Sequence, residues 1–322
     1  MCHVIFSVAL STYQGRNEMN LKLLASIAPP IAIVGIVYVV LAIYQKYKTK
    51  KKTRSPFTDD SLLRLPGHSL FLKIQKLSVT IDTQLAELFI CTIIIVNSMV
   101  LSISEQGLKE AAGIVIIFLL LLITFFCWQI FKLVKNINYR NQLRLGYEGE
   151  LVTAQELMKL MPEGNYVYHD FQADKFNIDH IVVGPAGVFA IETKAKSKKI
   201  SGDNKKDAKA TYNGQVISFP DFNDRQYLEQ AKRQAKWLSK WLESSTGEAI
   251  AVSPVVSLPG WFVERKVSYD GMYVINPKNF KSVIQSKKNT ILTKQRIKQI
   301  VHQVDRKCRD IEIQSKQYDK MK

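Results

Sequence analysis

Cysteine is scarce in this chain of 322 residues, which has only Cys2, Cys91, Cys127 and Cys308. No two of them have metal-ligand spacing, so the sequence supports neither a zinc site nor a disulfide framework, and a reducing compartment fits. Acidic residues are the second shortage. Lys and Arg number 45 against 28 Asp and Glu, for a formal net charge of +17. Residues 137–322 hold 31 of the basic and 21 of the acidic residues, a net of +10. Such an excess suits a nucleic acid or an anionic bilayer surface, and charge alone does not choose between them. A cleavage site is also missing from the weakly basic opening MCHVIFSVALSTYQG. A removed signal peptide is therefore not expected, and Met19 offers a second start.

What the first third of the chain has in quantity is long apolar runs. Residues 23–44 and 111–131 are charge-free over 22 and 21 positions, enough to cross a hydrocarbon core as helices. A shorter run, 88–103, carries Asn97 and is read as a third span because the charge pattern requires it. Basic flanks follow the first and last runs (YQKYKTKKKTR and FKLVKNINYR), whereas SEQGLKEAA separates the second from the third. The expected organisation is an extracytoplasmic segment 1–22, a span 23–44, a cytoplasmic basic loop 45–87, spans 88–103 and 111–131, and a linker 132–145. A cytoplasmic folded domain, 146–310, and a polar tail, 311–322, complete it.

In that domain, FNIDHIVVGPAGVFAIETKAK (176–196) reads as two strands joined at Gly184-Pro185-Ala186-Gly187, a four-residue loop with Gly and Pro for the turn. If Val183 faces Val188, counting outward sets Asp179 opposite Glu192, with Cβ atoms roughly 5 Å apart. Side chains alternate, so Lys194 joins the two acids, while Phe189, Ile191 and Thr193 point the other way. His180 also points away from the acids and reads as a packed histidine. Directly opposed carboxylates raise each other's pKa unless a cation lies between them, and Mg²⁺ takes such oxygen ligands. A solvated face with a Glu192–Lys194 ion pair is the plainer alternative.

GYEGELVTAQELMKLM (146–161) predicts a helix that follows a glycine. Ala154, Leu157, Met158 and Met161 fall within about 80° of Glu150 on a helical wheel, so the carboxylate shares the apolar stripe. It either faces the core or, as a first-turn residue, curls out to water. Strands are expected at 165–171, 249–258 and 272–277, and helices at 224–243 and 293–307. Between them, residues 194–222 form a lysine-rich stretch with little periodicity, read as a solvated loop able to grip a phosphate backbone. The element order is that of an α/β domain, a sheet flanked by helices.

GYEGE, NIDHIVVGPAGVFAIETK and EQAKRQAKWL together resemble the successive motifs of the NERD (nuclease-related domain) family of the PD-(D/E)XK nuclease superfamily, over roughly residues 146–258. The resemblance implies a restriction-endonuclease-like fold, a mixed sheet flanked by helices, here preceded by a helical transmembrane region. It implies a site of Glu150, Asp179, Glu192 and Lys194, with Mg²⁺ or Mn²⁺ on Asp179, Glu192 and Glu150. Gln230 matches the family's helix glutamine, and it and Lys196, Lys198, Lys199, Lys205 and Lys206 are the expected nucleic-acid contacts. The expectation is a nuclease acting on DNA ahead of RNA, anchored in a bacterial cytoplasmic membrane with its C-terminal domain in the cytoplasm. A catalytically silent module that binds nucleic acid or the lipid bilayer is the alternative. The long lysine-rich insertion and the lack of a zinc-ribbon appendage depart from the family pattern.

Overall fold

The computed structural model describes residues 62–106, 112–198, 208–269, 271–287 and 292–311, together with a few positions between 36 and 46. Most of the predicted span 23–44 lies outside the described residues. The other two runs are helical: α1 covers His68–Gln106 and α2 covers Ala112–Met158. Both are long and apolar enough to cross a membrane by length and composition. Their apolar portions expose Phe89, Ile90, Ile94, Ile116, Ile117 and Leu120, as lipid-facing side chains would be. Residues 88–103 are the later part of a helix that starts twenty residues earlier, and 132–145, read as a linker, is helical within α2.

By its internal contacts the chain forms two compact units, one containing residues 81–134 and the other containing 56–80 and 135–320. The second holds the α/β fold. Its main sheet has the order β1-β2-β3-β7-β9, formed by Tyr166–Gln172, Asn177–Gly184, Gly187–Thr193, Val252–Ser257 and Tyr273–Ile275. β1, β2 and β3 are antiparallel meander strands; β7 and β9 add in parallel. The hairpin register is the one counted from the sequence, with Val183 facing Val188 and His180 facing Ile191. Its turn is shorter than read, because Gly184 and Gly187 themselves pair and leave only Pro185-Ala186 between them. Gly187 takes φ 120°, which a side chain resists.

β2 and β3 are buried on both faces, which explains their near-continuous Val, Ile, Phe and Ala. One face packs Ile181, Val183, Val188 and Ala190 against α3 (Gln226–Thr246) and α5 (Lys294–Lys307) through Ala235, Leu238, Leu242, Ile297, Ile300 and Val304. The other packs Val182, Phe189 and Ile191 against Leu157 at the end of α2, Leu160 just beyond it, and Phe280 and Val283 of the short helix α4 (Phe280–Ser286).

The stretch 194–222 is not all solvated loop. Lys209–Tyr212 (β4), Ile217–Ser218 (β5) and Asn223–Asp224 (β6) join Phe262–Arg265 (β8) in a second sheet, ordered β6-β5-β4-β8. Ala210, Tyr212, Ile217 and Phe219 pack there with Leu228, Trp261 and Met272. Strands of two to four residues carry too few apolar positions to show an alternation, which is why the pattern read as loop.

Candidate functional site

The acids converge where β2 begins and β3 ends. Asp179 lies one step beyond the His180–Ile191 pair, which sets it across from Glu192 as the sequence register required. Both side chains are buried. Asp179 Oδ2 accepts from the Thr193 backbone amide at 2.7 Å. Thr193 therefore serves the site through its main chain, although its side chain is directed elsewhere.

Glu192 has three donors. Gln230 Nε2 reaches Oε1 at 2.7 Å, Gln234 Nε2 reaches Oε2 at 2.5 Å, and Lys194 Nζ lies 2.6 Å from Oε1. Gln230 and Gln234 are one turn apart on α3, so both present to the same strand residue. Lys194 is partly desolvated, yet its contact with Glu192 more than offsets that and holds its pKa above the ordinary lysine value. Its ammonium also lies 5.2 Å from the Tyr227 ring centroid.

Glu150 arrives from α2, deep inside a helix rather than in a first turn, and is 5% exposed. The buried stripe is Glu150, Thr153, Ala154, Leu157 and Leu160; Met158 and Met161, assigned to it from the sequence, are exposed. Gly149 explains how closely the helix approaches, because a Cβ there would stand 2.6 Å from Ala195 Cβ, just past Lys194. Thr153 Oγ1 and Ser257 Oγ, 3.0 Å apart, tie the same turn to the end of β7.

Burial, then the charges of Asp170 and Glu192, push Glu150 up to about 8 despite a hydrogen bond from the Gly67 amide. Its Oε2 is buried without a partner. Burial, followed by Glu192 and Glu150, likewise raises Asp179 well above the ordinary carboxylate range.

Asp170 escaped the sequence reading. It stands on β1 between residues paired with His180 and Ile178, hence across from Asp179, and continues the row of acids. Among the described residues it alone has positive φ without being glycine, at 47°. The fully buried carboxylate accepts from Arg64 Nη1 at 2.8 Å, Ser69 Oγ at 2.7 Å, Ser69 N at 3.1 Å and Asn177 Nδ2 at 2.9 Å. Arg64 also pairs with Asp310. Residues 64–69, placed by sequence in a basic loop, thus belong to the site's surroundings.

His180 packs as expected: it is fully buried, with Nδ1 2.9 Å from His169 Nδ1. Burial drives His169 down to about 4 and, helped by His169, takes His180 well below the ordinary range, so both are neutral.

Lys196 and Lys198 are exposed near the site, 5.0 Å and 5.7 Å from the ring centroids of Phe222 and Trp261. Lys199, Lys205 and Lys206 lie outside the described residues. Among the described residues no three His, Cys, Asp or Glu side chains form a ready metal cluster. The donor chemistry nevertheless fits a divalent cation: Glu150 and Asp179 resist ionisation because they are buried beside other carboxylates, and Glu150 Oε2 has no partner.

Residues 145–259 match the family model of the nuclease-related domain, NERD. Comparison with curated proteins and with solved structures gave no match.

Proposed function

With residues 145–259 matching the nuclease-related domain, we propose that the chain is a membrane-anchored, divalent-metal-dependent nuclease that hydrolyses phosphodiester bonds, with DNA ahead of RNA as substrate and Mg²⁺ or Mn²⁺ as the ion. The observation that carries this reading is the buried convergence of Glu150, Asp179 and Glu192 beside Lys194 within the matched segment. A DNA backbone would enter over the net-positive domain, with Lys196 and Lys198 beside the acids and Lys199, Lys205 and Lys206 further along the same lysine-rich segment. α1 and α2 supply the anchor, and the basic stretch FKLVKNINYR that follows the apolar run of α2 favours a cytoplasmic domain, as in a bacterial cytoplasmic membrane.

Asp179, Glu192 and Glu150 would hold the ion, which supplies positive charge that polarises a phosphodiester. The rest is work for the chain's own groups. Thr193 N fixes Asp179, and Gln230 and Gln234 fix the Glu192 carboxylate in one orientation. Lys194 Nζ stays protonated and offsets negative charge developing on the substrate. Glu150 retains its proton near neutrality and must release it before Oε2 serves as a ligand.

A silent, nucleic-acid-binding module is favoured by one observation: both Glu192 oxygens already have donors. Incubating the full chain with labelled DNA and RNA in Mg²⁺, Mn²⁺ or chelator separates the readings, since only the nuclease yields metal-dependent fragments.

A further inference from the structure

Gln230 and Gln234, which hold Glu192, also line a cleft of about 420 Å³. Phe176 and Trp237 form an aromatic wall, edge to face with centroids 5.6 Å apart, and the exposed Arg233 and Lys175 stand at its rim. Trp237 Nε1 donates to Oδ2 of Asp174, which also lines the cleft, at 3.2 Å. Gln234 is 2% exposed, and its Nε2 bridges Glu192 and the Asn177 carbonyl. Its Oε1 is buried without a partner. A buried acceptor left unsatisfied is costly and asks for a donor.

From this combination we propose that the cleft is a subsite for one unpaired nucleobase of the strand presented to the acids. The inference rests on the nuclease reading and deepens it, because it makes the substrate single-stranded or frayed at that point. The chemistry selects the occupant. An aliphatic ligand would leave the amides of Gln230 and Gln234 unanswered, and Asp174 in the lining opposes a free anion. A nucleobase offers a flat face for Phe176 or Trp237, a polar edge for the Gln230 and Gln234 amides, and a flanking phosphate for Arg233 and Lys175. In an intact duplex that edge is already paired.

The test uses the detergent-solubilised full chain in chelator, with fluorescence anisotropy of a labelled single-stranded oligonucleotide and of the same strand made abasic. Wild type should bind the base-bearing strand on the order of ten-fold tighter. Trp237→Ala should lose most of that difference, and Trp237→Phe should keep it. If Trp237→Ala melts early, Phe176→Ala provides the same reading. Equal binding of the two strands by wild type, or an unchanged preference in both alanine variants, overturns the subsite. Base-dependent binding with no cleavage under any divalent ion retires the nuclease and leaves the subsite standing. Cleavage without base dependence does the reverse, and absence of binding to either strand ends both.

Discussion

Glu150→Gln in the metal-free protein should leave stability unchanged at acid pH and raise it at alkaline pH. The folded protein holds the Glu150 proton up to about 8, against an ordinary value of 4.5. A pKa raised by folding contributes stability that is fully present below 4.5 and is lost as pH climbs through 8. At about 1.4 kcal/mol per pH unit, the loss is of order 5 kcal/mol. Glutamine mimics the protonated acid, so the variant should match wild type near pH 5. By pH 9 it should be more stable, melting on the order of 10 °C higher. It should also relieve Asp179, whose pKa is raised partly by Glu150. Thermal unfolding of the solubilised full chain in chelator, from pH 5 to 9, measures both effects, and saturating Mg²⁺ should restore wild-type stability at the alkaline end alone. A wild-type melting temperature flat across that range, or a Glu150→Gln curve falling in parallel with it, would refute the reasoning.

On the acid side, His169 and His180 give the opposite slope. His169 is held neutral down to about 4 by burial, so stability should fall by about 3 kcal/mol as pH drops from 6.5 to 4, and His169→Gln should flatten that limb in melts extended down to pH 4. Arg64→Met should cost about 3 kcal/mol in denaturant titration, since Asp170 is fully buried and keeps only its Ser69 and Asn177 donors. Adding Asp170→Asn should recover part of that loss; strict additivity would deny the coupling. Replacing Lys196, Lys198, Lys199, Lys205 and Lys206 with Gln should weaken nucleic-acid binding about uniformly across sequences and flatten its salt dependence. An unchanged slope would assign those lysines to solvent.

The hairpin register was legible because a β-strand has a period of two and the Val183–Val188 pair anchors the count, so Asp179 and Glu192 met where expected. Glu150's place in a helical stripe was legible, but whether the carboxylate is buried or curls out to water was not, because that turns on its helical context. The sequence reads as a helix that follows a glycine at 146, whereas α2 runs through Gly146 and uses Gly149 to approach Ala195. Asp170 and its partners lay out of reach, because Arg64 and Ser69 stand about a hundred residues away in sequence and no local pattern encodes that meeting. Gln234 was within reach, one turn after Gln230. The sequence treats the opposed acids as equivalent; their surroundings do not. Asp179 carries an unfavourable charge that its loss relieves, whereas removing Glu192 strands Lys194 and two amides without their acceptor.

Metal-dependent hydrolysis by the full chain tests the central claim most directly. Purified wild type, Asp179→Asn, Glu192→Gln and Lys194→Ala should be compared on labelled DNA and RNA in Mg²⁺, in Mn²⁺ and in chelator, with melting temperatures confirming that each variant is folded. Fragments are expected from wild type only when the divalent ion is present, none above background from the two acid variants, and a strong loss of rate in Lys194→Ala with much of its ion binding retained. Wild-type protein that cleaves nothing under any of these conditions, or acid variants that cleave as fast as wild type, would contradict that claim.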